Sequence, residues 1–172
     1  MQIDIRHETP DDYHAVRDVN LAAFETPAEA DLIDRIRHTP QYIPALSLVA
    51  IVDGVITGHA LFSEIAIERQ TGNLRALALG PIAVLPAYQR QGIGTRLIET
   101  GHQQAAERGY PFVVLLGHPE YYPRFGYVPA GPYGLSVPWD VPPEAFMVCE
   151  LVPGSLESVA GQVRYAEPFL DI

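Results

Sequence analysis

Between Leu79 and Leu97 the chain reads Leu-Gly-Pro-Ile-Ala-Val-Leu-Pro-Ala-Tyr-Gln-Arg-Gln-Gly-Ile-Gly-Thr-Arg-Leu. A β-rich run enters a polar turn and leaves it, at Gly92-Ile93-Gly94, as the start of an amphipathic helix. Glycine at such a corner lets the backbone approach a ligand with no Cβ in the way. The first N–H groups of a helix have no intrahelical acceptor, and the helix dipole adds partial positive charge there. A phosphate or pyrophosphate suits that environment, and Arg90 and Arg96 stand near enough to add charge-assisted contacts. Taken alone, a Gly-x-Gly corner serves equally as a tight strand-to-helix connection with glycines for packing only.

The rest of the chain supplies a sheet and helices around this corner. Ile3 to Arg6 reads as a short strand. Thr9-Pro10-Asp11-Asp12 reads as a helix start, with a threonine N-cap, proline at the first helical position and acids in the first turn. Val16, Val19, Leu21 and Phe24 make an apolar stripe on that helix, and a second helix is expected from Pro27 to about Arg37. Leu46 to Val52 is a strand, and Asp53-Gly54 turns it into a second strand over Val55 to Phe62. Leu74 to Val84 is a longer strand interrupted by Gly80-Pro81. The helix opened by Gly92 ends near Arg108-Gly109, where glycine is the usual C-cap. Its Ile93, Leu97, Ile98, Gly101 and Ala105 share one face. Phe112 to Leu116 has the unbroken apolar character of a strand buried on both sides, and Met147 to Val152 is a late strand. Prolines gather after Pro119, so the C-terminal third is expected to be turn-rich, with short strands and irregular connections. Strands in the middle with flanking helices place the chain in the α/β (α+β) class.

Composition narrows the function. At 172 residues and 48% hydrophobic, the chain is long enough and apolar enough to fold as one domain over 1–172. Its formal charge of −10 argues against sequence-independent nucleic-acid binding, which needs a basic stripe. All 11 basic residues are arginine. Without lysine there is no Walker-type phosphate loop, no Schiff base and no lysine general base. One cysteine, Cys149, cannot form an internal disulfide. No signal peptide and no membrane-spanning apolar run is evident, so a cytoplasmic location is expected. The six histidines are scattered and none has ligand spacing to Cys149, so no metal is expected. Ser63-Glu64 and the distant histidines make no nucleophile elbow.

Two linked elements carry a family resemblance. Gln89-x-x-Gly92-x-Gly94, preceded by Gly80-Pro81-Ile82-Ala83-Val84-x-Pro86, resembles the acetyl-CoA motif of the GNAT superfamily of N-acyltransferases. Just past the buried strand, Gly117-His118-Pro119-Glu120-Tyr121-Tyr122-Pro123-Arg124-Phe125-Gly126-Tyr127-Val128-Pro129-Ala130 is similar to that family's Tyr-x-Arg/Lys-x-Gly-aromatic segment, in the form of its YhbS-like branch. The resemblance covers roughly residues 46 to 130. It implies a central mixed, mostly antiparallel, splayed sheet flanked by helices. It also implies acetyl-CoA as cosubstrate, whose pantetheine arm would lie along Ile82, Ala83 and Val84. The pyrophosphate would rest on main-chain N–H groups of Gln89, Arg90, Gln91, Gly92, Ile93, Gly94 and Thr95. Gly80-Pro81 fits a bulge that opens the ladder, since proline offers no N–H to a neighbour.

The implied activity is acetyl transfer from the thioester to a primary amine on a small molecule or peptide, directly and through a tetrahedral intermediate. Such a transfer needs a neutral amine, a donor for the oxyanion and a proton for the departing thiolate. Tyr122 aligns with the tyrosine that resembles the family's general acid, with Tyr121 as the alternate register. A main-chain N–H between Ile82 and Val84 would meet the oxyanion. The general base is less defined, because Leu77 to Val84 carries no acid where many members of the family place a glutamate. Glu64, His118 and Glu120 are the candidates, with His59 a further one and a water chain an alternative.

Three readings follow. The first is an acetyl-CoA-dependent N-acetyltransferase. The second, prompted by the missing acid, is a non-catalytic acyl-CoA-binding sensor or assembly module. The third is transfer of a longer acyl chain, on which the small Ala83 is silent. Homodimerisation, common among similar proteins, is an expectation that no segment demonstrates. Nine acids fall in residues 1 to 34 against Arg6 and Arg17, a local balance of −7. They read either as solvated helix faces or as a field drawing a cationic amine to the acceptor site.

Overall fold

The computed structural model describes residues 1–171. Nine strands join one sheet: β1 (Asp4–His7), β2 (Ser47–Val52), β3 (Val55–Glu68), β4 (Leu74–Val84), β5 (Phe112–Leu116), β6 (Val128–Pro129), β7 (Leu135–Ser136), β8 (Phe146–Glu150) and β9 (Gly161–Arg164). Along the main path the order is β1-β2-β3-β4-β5-β8-β6, and β9 pairs with the far end of β3 and with β7. Only β4–β5 and β7–β9 run parallel, so the expected mixed, mostly antiparallel sheet is observed. Three helices flank it: α1 (Tyr13–Ala23), α2 (Ala28–Ile36) and α3 (Ile93–Glu107). Among the described residues no helix is long and apolar enough to cross a membrane.

The sheet separates two halves of the core. On one side Val49, Leu61, Ile65 and Val114 meet Val16 of α1 and Leu32, Ile33 and Ile36 of α2. On the other, Phe62, Leu77, Leu79 and Val113 meet Ile93, Leu97, Ile98 and Ala105 of α3. The face expected of α3 is the buried one, Gly101 included. A Cβ on Gly101 would lie 2.1 Å from the Phe62 ring, so glycine lets the helix settle onto the sheet.

Several details differ from expectation. Thr9-Pro10 opens a 3₁₀ turn over Pro10–Asp12, and the α-helix begins only at Tyr13. The Asp12 carboxylate accepts the Thr9 N–H at 2.8 Å and the Arg6 guanidinium at 2.6 Å. Leu21, assigned to the apolar stripe, is solvent-exposed, and Asn20 is buried in its place with its amide donating to the Val16 carbonyl at 2.9 Å. β3 continues to Glu68 instead of stopping at Phe62, because β4 lies beside it to Leu74 and satisfies its backbone. Strands β6, β7 and β9 are short strands of the kind expected in the turn-rich C-terminal third, although the sequence reading assigns them no positions.

Candidate active site

The site forms where β4 parts from β5. The two strands pair in parallel only at Leu77↔Val113 and Ala78↔Val114. Beyond that, β5 follows β8 while β4 runs on to Val84 against β3. The bulge expected at Gly80-Pro81 is present: Ala60↔Ile82 and Phe62↔Leu79 leave two β4 residues facing Leu61 alone. Gly80 has φ of 148°, a conformation L side chains rarely adopt. The divergence leaves the β4 edge from Gly80 to Val84 without a strand on the β5 side.

The glycine corner lies at the end of that edge. Gly92 caps α3 with φ of 87°, and Arg90 also has positive φ, at 64°. The first N–H of the helix to find a backbone acceptor belongs to Arg96, which donates to the Gly92 carbonyl at 3.1 Å. The N–H groups from Arg90 to Thr95 have no backbone acceptor among the described residues. They form the main-chain cradle that a pyrophosphate fits.

A cavity of about 660 Å³ covers this cradle. Nine of the ten residues expected to hold the cosubstrate line it, namely Ile82, Ala83, Val84, Gln89, Arg90, Gly92, Ile93, Gly94 and Thr95. Gln91 does not: its amide folds back toward the Ala87 carbonyl at 3.4 Å. Gln89 has a second function, donating from its side chain to the Val84 carbonyl at 3.1 Å and so tying the turn to the strand. Arg96 is also absent from the wall. The second cation comes instead from Arg124, held by its Nε on the Tyr121 carbonyl at 2.9 Å with its guanidinium 4.7 Å from the centre of the Tyr121 ring.

A second cavity, about 670 Å³, opens on the other side of the splay. Ile82 and Tyr122 line both cavities. Tyr122 begins a 3₁₀ turn (Tyr122–Phe125) and packs edge-on against Tyr121 and Tyr127, at 5.0 and 5.8 Å between ring centres. Burial, with a lesser contribution from Tyr121, pushes its phenol up to about 12, so it is a protonated donor at neutral pH. Of these two cavities Tyr121 lines the cradle cavity alone, with its hydroxyl 3.0 Å from where a Gly94 Cβ would stand.

The candidate bases separate. His118 lines the second cavity beside Tyr122. Glu120 lies outside it, on an adjoining depression that His118 also lines, with Gln89 and Arg90. Glu64 is removed from both cavities: it pairs with Leu77 within the sheet, on the α3 face. There it accepts hydrogen bonds from Arg75 at 2.9 Å and Tyr110 at 2.8 Å. His59 is fully buried beside Ser47, its Nε2 2.8 Å from the serine Oγ. Burial pushes its imidazole down to about 4, and it lines neither cavity.

Apart from Glu29, one of the nine N-terminal acids, sequence reasoning assigned to the site none of the residues that complete the wall of the second cavity. Phe24 follows α1, Leu32 and Glu29 come from α2, and Trp139, Tyr165 and Phe169 come from the irregular C-terminal segments. Trp139 and Tyr165 stand 4.9 Å apart and Tyr165 and Phe169 5.2 Å apart, a continuous aromatic surface. The acid-rich N-terminal segment is also less anionic than its count suggests. Arg6 pairs with Asp12, Arg17 with Asp31 and Asp34, and Arg37 with Glu8 and Asp34. Among the nine acids, Glu29 alone lines the cavity.

Known proteins share these features. The domain family described as acetyltransferase (GNAT) domain matches residues 4–130. The uncharacterized N-acetyltransferase YjhQ of Escherichia coli K12 is 35% identical over 156 residues, which span 89% of this chain and 86% of that protein. The uncharacterized N-acetyltransferase YhbS of the same strain is 34% identical over 166 residues, 96% of this chain and 97% of that protein. The crystal structure of E. coli YhbS in complex with CoA superposes with a TM-score of 0.92, at 33% identity over 99% of this chain and 93% of the other. A GNAT family acetyltransferase from Brucella melitensis, in complex with acetyl-CoA, superposes with a TM-score of 0.79 at 32% identity, over 98% of both chains.

Proposed function

This chain belongs to the GNAT acetyltransferase family, and we propose that it transfers the acetyl group of acetyl-CoA directly to a primary amine. The observation that carries the reading is that the two cavities meet at Ile82 and Tyr122. A thioester lying along β4 with its pyrophosphate on the α3 cradle would present its carbonyl there, to an amine arriving through the second cavity.

The chemistry can be followed atom by atom. The amine nitrogen forms a bond to the thioester carbon, and the carbonyl oxygen gains charge as a tetrahedral intermediate forms. A main-chain N–H of the free β4 edge between Ile82 and Val84 is the donor for that oxygen. His118 is the candidate to take the proton the nitrogen loses, because of the proposed bases it alone stands in the acceptor cavity. When the carbon–sulfur bond breaks, Tyr122 donates to the departing thiolate. A phenol pushed up to about 12 is a weaker acid than a thiol. Tyr122 therefore supports the thiolate mainly by a hydrogen bond, and full protonation of the sulfur draws on the proton released by the amine.

The test is thiol release from acetyl-CoA across a broad amine panel. Turnover above spontaneous hydrolysis with at least one amine is expected, and none with any amine would overturn the reading. The sensor reading is favoured by one observation, the lack of any acid on β4. It would require CoA affinity with no turnover. A loss of turnover in Tyr122→Phe at unchanged CoA affinity would dismiss it.

A further inference from the structure

The acceptor cavity has a composition that limits what can occupy it. Its wall is mostly carbon: Phe24, Leu32, Leu116 and the Trp139-Tyr165-Phe169 surface. It contains no arginine, and the chain has no lysine. Among the described residues its one carboxylate is Glu29, in the first turn of α2. Glu29 is half-buried and makes no hydrogen bond or ion pair with the described residues, whereas Glu8, Asp12, Asp31 and Asp34 nearby in sequence are all matched to arginines. The Tyr165 hydroxyl is likewise buried without a partner among the described residues.

We propose that the acceptor is a primary amine carried on an aromatic or similarly bulky apolar body and lacking a carboxylate, with Glu29 as the residue that selects its positive charge. The proposal rests on the acetyltransferase reading of the site. Each part of the amine has a counterpart. The apolar body covers the aromatic surface, where burial and ring contacts favour it. The ammonium form is drawn in by a half-buried carboxylate that no arginine matches, and the nitrogen gives up a proton before it bonds to the thioester carbon. A free amino acid brings its own carboxylate against Glu29 with no cation in the wall to receive it. A linear polyamine satisfies Glu29 but leaves the aromatic surface uncovered and places a second charge against carbon. A long acyl chain on the donor would fill the same space, yet would bury Glu29 against methylenes.

Trp139 is the only tryptophan of the chain, so its emission reports occupancy of this cavity without requiring turnover. The CoA-loaded protein is titrated with phenethylamine, phenylalanine and putrescine, and the free protein with hexanoyl-CoA. Thiol release from acetyl-CoA is followed in parallel with the three amines. A saturable change with phenethylamine is expected, at least about tenfold tighter than with phenylalanine or putrescine, and weakened about tenfold in Glu29→Gln. Glu29→Asp should restore part of the affinity, which a merely structural effect of the substitution would not. Equal or tighter binding of phenylalanine or putrescine would overturn the proposal, as would a response to hexanoyl-CoA alone or an unchanged affinity in Glu29→Gln. If phenethylamine binds in the expected order but no amine releases thiol, the cavity assignment stands and the acetyltransferase reading fails. If putrescine or phenylalanine is acetylated while phenethylamine neither binds nor reacts, the reverse holds.

Discussion

Tyr122 stands directly over Gly117, so closely that a Cβ at position 117 would lie 2.5 Å from its ring. Gly117 ends the β5 edge and its N–H donates to the Ala145 carbonyl at 2.9 Å, which fixes the floor beneath the phenol. The phenol at the meeting point of the two cavities is therefore positioned by an absent side chain. Tyr122→Phe should lower kcat about a hundredfold, the lower range for loss of a hydrogen-bond donor to developing charge, while CoA affinity stays within a few-fold. Gly117→Ala should reproduce much of that loss with the hydroxyl still present, because the rigid ring must move. Steady-state kinetics with calorimetric CoA titration on both variants checks this. Full activity in Gly117→Ala would show that the position of the ring is not critical.

The glycine corner was legible in the sequence because its logic is local. Unpaired N–H groups at a helix start, glycines that keep the approach open and a proline that interrupts a ladder can be read within twenty residues or so. The α3 face was legible for the same reason, since Ile93, Leu97, Ile98, Gly101 and Ala105 repeat at helical spacing. The acceptor wall was not legible. Trp139, Tyr165 and Phe169 come from segments without periodicity, and only the tertiary path of the last third of the chain stacks them. Glu64 was misplaced for a related reason. Ser63-Glu64 breaks the apolar pattern and reads as a strand end, yet pairing with Ala78 and Leu77 carries β3 through it and turns the glutamate toward Arg75 and Tyr110.

Acid sensitivity should come from two histidines, His59 fully buried and His102 partly so. Burial pushes His102 down from 6.5 to about 4; for His59 burial does the same against an opposing pull from Glu8, with Arg37 adding to the fall. The unfolded chain takes up protons at both positions below about pH 6.5, and the fold does so only near pH 4, so stability is lost as pH falls through that window. Each group is worth at most about 3 kcal/mol by its lower end. His102→Gln keeps a donor and an acceptor next to Tyr127, whose hydroxyl is 2.7 Å from the imidazole, but removes the titration. Urea unfolding at several pH values should show a clearly shallower decline for this variant. An unchanged slope would mean that His102 titrates alike in both states.

A buried ion pair fixes α2 to the start of the sheet. Arg37 donates to Glu8 at 2.7 and 3.1 Å, and Tyr42 donates to the same carboxylate at 2.6 Å, with both charged side chains almost fully excluded from solvent. Burial pushes the Glu8 carboxyl up, but the bonds from Arg37 and Tyr42, with His59 nearby, outweigh it and hold the group below its ordinary value. Arg37→Met leaves that carboxylate without its cation and should cost about 3–5 kcal/mol. Glu8→Gln combined with Arg37→Met should recover part of the loss, since no unpaired charge then remains buried. Denaturant midpoints for the single and double variants give the comparison. A double variant as unstable as Arg37→Met alone would indicate that shape, not charge, dominates there.

The same chemical change should act with opposite sign at two buried tyrosines. Tyr165 and Tyr127 are both almost wholly enclosed, but the Tyr165 hydroxyl has no partner among the described residues while that of Tyr127 is bonded to His102. An unpaired buried hydroxyl has given up its water without a replacement, so Tyr165→Phe should raise stability by about 1 kcal/mol or leave it unchanged. Tyr127→Phe removes a bonded hydroxyl and leaves the His102 Nε2 atom unmatched, so it should lower stability by about 1–3 kcal/mol. Ring packing is common to both substitutions and does not account for a difference in sign. Thermal unfolding of the two variants beside the parent decides it. If Tyr165→Phe is clearly destabilising, the hydroxyl has a partner in solution, and an ordered water between it and the cavity would be the first place to look.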